Sequence, residues 1–295
     1  MKKVMKSIGW GTLSFVPLIT SIVAQFGVSL LGGMLIMIVI IFTSALSGDG
    51  ASGNMMNQFQ SVLMSSASLL MVIYHLLAIL IFSLWYYFGC GRPKACKPAK
   101  VFGGNRSIPV TLLTGLGLCV FANGFVVVIM YALPTLYARY EQLMESAGMG
   151  TDVFAILAAI LLAPVGEEIL CRGLIYHYAK NAVKEMKNRQ LAFWIANIIQ
   201  SLAFGIMHMN MVQGMYAFVL GLGIGWLRER YNSLYPAMLA HFTVNFLSTF
   251  VMGYLLAPLP ENLASGILLM VISFVICGIA FVLEFKSKKT VEAEG

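Results

Sequence analysis

Three short motifs place polar chemistry inside apolar stretches of a 295-residue chain: EEILCR at 167–172, FGIMH at 204–208 and HFTVN at 241–245. Together they supply two carboxylates, a guanidinium, two imidazoles and an amide. An ionisable side chain within a membrane span costs several kcal/mol, on the order of 3 on insertion scales, so each needs a reason to be there. A carboxylate can take a proton from water, an imidazole can hold that water, and two neutral donors can receive a developing oxyanion. That set is what hydrolysis requires.

Helical spacing divides the groups further. Glu168 and Arg172 lie four apart, with the acid on the N-terminal side, the favourable order for an ion pair on one face. Glu167 points about 100° away from Glu168, so the two carboxylates do not serve one point. Cys171 fills the position that would partner Glu167 on its own helix, and its partner must come from another. Pro164 lacks an N–H and kinks or opens the helix just before it. Phe204 is one turn before His208, and His241 and Asn245 stack on one face of theirs. Each residue alone could be an interhelical strut; the whole set, with histidines on two spans and an unpaired acid, asks for more. His75 and His177 stand alone and read as packing or interfacial residues.

These residues must be positioned by membrane helices. The chain is 59% hydrophobic and 11% charged, against about a quarter charged in soluble domains. Long apolar runs at 11–46, 61–88, 109–137, 152–180, 190–208, 212–228, 234–256 and 262–284 predict an all-α, polytopic transmembrane bundle of about eight spans. The first run is uncharged from Gly11 to Ser47, on the order of 55 Å of helix against a hydrocarbon core of about 30 Å. It reads as one tilted helix bent at Pro17 or Gly32-Gly33, or as an interfacial piece plus a span. With the N-terminus inside, every Lys and Arg except Arg139 and Arg172 falls at an inner segment, so both termini are expected in the cytoplasm. The net charge of +7 therefore sets orientation and gives no case for nucleic acid. Cys90, Cys96, Cys119, Cys171 and Cys277 form no disulfide framework, and CGRPKAC matches no common zinc spacing. Gly221 and Gly225 suit close helix packing. Three regions follow: 1–150 with three spans and a basic loop, 151–250 with the polar motifs, and 251–295 with a last span and a disordered tail.

In order, the motifs resemble the EExxxR, FxxxH and HxxxN patterns of the CPBP family, which groups CAAX-processing proteases with bacteriocin-immunity (Abi) proteins. The resemblance covers 152–250. It implies an intramembrane endopeptidase of a bacterial cell membrane that uses no metal or other cofactor. Glu167 would be the general base and His208 a ligand of its water. His241 and Asn245 would form the oxyanion hole, and Glu168, Arg172 and Phe204 would support them. The implied substrate is a membrane-associated peptide or protein, prenylated or not, met within the lipid bilayer.

Two other readings stand beside this one. Glu167, His208 and His241 could ligate zinc as a His₂Glu set, although no HExxH is present. The chain could instead be an immunity or scaffold protein that acts by binding. Depth sets a further condition: His241 lies roughly 15 Å from the inner loops and His208 roughly 27 Å. They meet only if the fourth and fifth helices start well outside the bilayer, as when the hairpin around 184–189 projects into the cytosol, or tilt strongly.

Overall fold

The computed structural model describes residues 2–47, 54–90, 107–146 and 152–293. Eleven helices follow in order: α1 Lys2–Leu13, α2 Val16–Ser47, α3 Asn54–Gly89, α4 Ser107–Ala132, α5 Pro134–Ser146, α6 Val153–Val183, α7 Arg189–Met207, α8 Met211–Tyr231, α9 Leu234–Phe250, α10 Met252–Leu256 and α11 Leu263–Ala293. No strand occurs among the described residues. Cys96 and the basic loop from Arg92 to Arg106 lie outside them.

Each of the eight expected spans is occupied by helix. Six stretches, in α1–α2, α3, α4, α6, α7 and α11, are long and apolar enough to cross a membrane. The other two differ for simple reasons. Helix α8 ends in Arg228, Glu229 and Arg230, and α9 has 17 residues, about 26 Å against a core of about 30 Å. These two carry or face the polar motifs. Outward faces of α2 and α11, such as Leu30, Leu31, Phe42 and Phe274, are exposed and apolar, as a lipid-facing surface must be.

The first apolar run breaks at Ser14–Phe15, in front of Pro17 in the opening turn of α2. Helix α1 is thereby freed to lie against the C-terminal end of α6, where Ser7 donates to the Ala182 carbonyl and Trp10 stacks on Tyr178 at 5.8 Å. A short piece plus a span is therefore the arrangement. Likewise the run expected at 109–137 stops at Ala132, because Pro134 cannot continue the ladder, and α5 starts as a separate helix.

Helix α4 sits between α9 and α11, and its glycines permit this. A Cβ at Gly115 would come within 2.8 Å of Thr243 Cβ, and one at Gly124 within 2.8 Å of Leu269 Cβ. Helices α7 and α8 close in the same way: Gly221 rests on Ser201, and any side chain at Gly225 would collide with the Asn197 amide. At the C-terminal end of α8, Glu284 of α11 accepts from Arg230 Nε and Tyr231 Oη, both at 2.6 Å, tying the last helix to α8.

Candidate active site

Helix α6 is not a regular α-helix. An α-turn, Ala163–Glu168, is flanked by π-helical segments at Leu157–Leu162 and Ile169–Ile175. In the first, the Ala163 N–H bonds the Ala158 carbonyl five residues back; in the second, Tyr176 bonds Cys171. Pro164 comes next after Ala163 and has no N–H to give, so the Ala159 carbonyl loses its ladder partner. Asn245 Nδ2 fills that gap at 2.7 Å. One amide proton is thereby spent on backbone and the other is left for the cavity.

The Glu168 and Arg172 pair forms as the i,i+4 spacing predicts, Nη1 to Oε1 at 2.8 Å, with both side chains fully buried. Arg172 Nη2 also donates to the Gly221 carbonyl at 3.2 Å, and its guanidinium lies 4.4 Å from the Phe204 ring centroid. Phe204 thus seals the cation. Its edges meet two imidazoles, His208 at 5.0 Å and His241 at 5.5 Å, both nearly perpendicular.

His241 changes the picture of the adjacent glutamates. Its Nδ1 is 2.8 Å from Glu168 Oε1 and its Nε2 is 3.8 Å from Glu167 Oε2. The carboxylates diverge around α6 as expected, yet a single ring faces both, because imidazole carries its nitrogens on two sides. Glu168, held by Arg172, accepts, so Nδ1 carries the proton. The 3.8 Å separation is too long for a direct hydrogen bond and leaves Nε2 and Glu167 turned towards a shared space.

His208 closes α7 as its C-cap. Its Nδ1 donates to the Phe204 carbonyl at 2.7 Å, a bond that leaves the Nε2 lone pair of the neutral ring available. The residue after it, Met209, adopts φ 50°, a left-handed conformation that costs a side-chain-bearing residue about 1–2 kcal/mol. The chain turns sharply there, and Asn210 caps α8.

Glu167, His208, His241 and Asn245 line one cavity of about 480 Å³ with Phe204 in its wall. The two histidines meet in this cavity, and the α6–α7 hairpin continues past Lys180, which meets Glu229 at 2.8 Å near the end of α8. Among the described residues no three His, Cys, Asp or Glu side chains are arranged to hold a metal ion.

Several lining residues carry no motif. His75 of α3, read from sequence as packing, is in the cavity wall, as are Gln25 of α2, Tyr140 of α5 and Tyr216 of α8. Beneath the site, Gln200 Nε2 reaches Asn197 Oδ1 at 2.7 Å and the Gly221 carbonyl at 3.0 Å, the same carbonyl that Arg172 uses. The sequence signal for that network was three polar residues, Asn197, Gln200 and Ser201, on an apolar helix.

Residues 149–247 match the family model Type II CAAX prenyl endopeptidase Rce1-like. The Rce1-like match spans all three motifs and agrees with the resemblance they carry. It supports a membrane-embedded protease and leaves α1 to α5 outside the matched segment. No curated protein and no solved structure matches the chain.

Proposed function

We propose that this chain is an intramembrane endopeptidase that hydrolyses a peptide bond of a membrane-associated substrate with a water activated by Glu167. The observation that carries this reading is the His241 ring, one nitrogen turned to Glu168 and the other to Glu167, in a cavity shared with His208 and Asn245. The Rce1-like match supports the same class of reaction.

The attacking water donates one hydrogen to Glu167 and the other to His208 Nε2, which directs its lone pair at the substrate carbonyl. As the C–O bond forms, Glu167 takes the water proton. The oxyanion is received by the second N–H of Asn245, while His241, its Nδ1–H held by Glu168, turns its Nε2 lone pair to the carboxyl that Glu167 becomes. Collapse breaks the C–N bond, and Glu167 passes its proton to the departing amine. Arg172 and Phe204 do not touch the reacting atoms; they hold Glu168 and the two imidazoles in place. The distribution of basic residues supports cytoplasmic termini.

The test compares membrane proteomes of cells carrying wild type and Glu167→Gln. A membrane-associated polypeptide shortened only by wild type is expected, with both proteins equally abundant and equally heat-stable. Identical substrate profiles would remove the assignment.

A further inference from the structure

The chain before residue 149 lies outside the matched segment, yet it supplies part of the cavity wall. His75 is the most informative residue there. Its side chain is 93% withdrawn, with 7% exposure remaining, and it lines the cavity that holds Glu167. It has no hydrogen-bond partner among the described residues, and its ring contact is Tyr74 at 5.0 Å. Tyr74 is tied to Ser21 of α2 at 2.7 Å, which fixes this turn of α3. Gly166, next to Glu167, lets α6 approach the same turn, since a Cβ there would lie 3.3 Å from Ile79 Cγ1 and 4.0 Å from the His75 carbonyl. Neither ring nitrogen is among the polar atoms sealed off by protein, so an imidazole at a position that hydrocarbon could fill offers the cavity a donor and an acceptor for an occupant.

The cavity also restricts what that partner is. Besides Glu167 and the imidazoles of His75, His208 and His241, its lining is amide, hydroxyl, thioether and hydrocarbon, with no Lys, Arg or Asp. Arg172 is fully buried beneath Phe204 and offers nothing to a bound anion. A carboxylate brought here would be desolvated beside Glu167 without a counter-ion. A peptide main chain, by contrast, presents an uncharged N–H and C=O at each residue, both within the repertoire of an imidazole.

We propose that His75 is a substrate-binding residue, its imidazole hydrogen-bonding the main chain of an uncharged stretch of peptide seated along α3. The identity of the occupant as a peptide rests on the endopeptidase reading.

The experiment measures binding rather than turnover. A fluorescent, N-acetylated, C-amidated peptide of Leu, Ala and Ser is titrated by anisotropy against detergent-solubilised Glu167→Gln protein. The same is done with His75→Leu and His75→Gln on that background, with melting temperatures followed in parallel. The expected result is about a tenfold loss of affinity for His75→Leu, one hydrogen bond's worth. His75→Gln, which keeps a donor and an acceptor, should recover most of it. One Asp at the peptide's centre should abolish binding even with Gln at 167, since no Lys or Arg lines the cavity to offset its desolvation, and undiminished binding of that peptide would overturn the uncharged-stretch proposal. Equal affinity of all three proteins, no binding of the uncharged peptide, or a loss that follows a lowered melting temperature would overturn the proposal. His75-dependent binding, with wild-type protein found to cleave nothing, would instead leave it intact and remove the endopeptidase reading.

Discussion

His241 Nδ1 stands 2.8 Å from Glu168 Oε1, and that same oxygen accepts from Arg172 Nη1 at 2.8 Å. One carboxylate oxygen therefore joins a guanidinium on its own helix to an imidazole on another. The bond sets the ring's tautomer and aims its far nitrogen at Glu167.

Because Glu168 belongs to a fully buried ion pair, its loss should be felt in stability before activity. Glu168→Ala leaves Arg172 buried without its carboxylate and should cost about 3–5 kcal/mol. Glu167→Ala removes no ion pair with Arg172 and should cost far less. Thermal unfolding of the two variants in one detergent compares them directly; equal losses would contradict the pairing.

Asn245 serves the Ala159 carbonyl and, in the proposed mechanism, the oxyanion. Asn245→Ala should lower kcat by about 10²–10³, the usual effect of removing one oxyanion donor. Pro164→Ala offers an N–H five residues after Ala159 and so competes for the carbonyl that orients the amide. Steady-state kinetics should show lower kcat for it with little change in melting temperature.

Glycine substitutions should divide by what a Cβ would meet. Gly225→Ala drives a methyl into the Asn197 amide and should destabilise by about 1–3 kcal/mol. Gly278→Ala meets nothing within 4 Å in the middle of α11 and should stabilise by up to about 1 kcal/mol through helix propensity. Melting temperatures moving in opposite directions check both.

Met209→Gly removes the penalty of φ 50° at the turn after His208 and should raise stability by about 1 kcal/mol. A lower melting temperature would show that the Met209 side chain contributes more than its backbone costs.

The legible and illegible parts of the structure differ in where their causes lie. The helices of the eight apolar runs and the Glu168–Arg172 pair follow from runs and spacings within single elements, so local pattern suffices. The breaks at Phe15 and Leu133 were signalled by Pro17 and Pro134, although a hydropathy profile passes over both. His241 facing two glutamates was not legible, because it depends on how α9 is rotated against α6. His75 was read as packing for a related reason. A lone polar residue on an apolar helix does not reveal which neighbour it faces, and no motif marks its helix. The π-helical segments were hidden as well, since leucine- and alanine-rich sequence fits i−4 and i−5 ladders alike.

The wide turns on either side of Glu167 and Glu168 each store surplus length. Deleting one residue from 157–162 would let that stretch wind more tightly with few hydrogen bonds lost. Yet the Asp152-capped end of α6 would then swing by about 100° relative to the acids. Such a protein would still insert and fold much of its bundle, with its carboxylates out of phase with the imidazoles. In this helix residue count acts as an angular setting, and a one-residue deletion that removes no reacting group would be as damaging as removing the base.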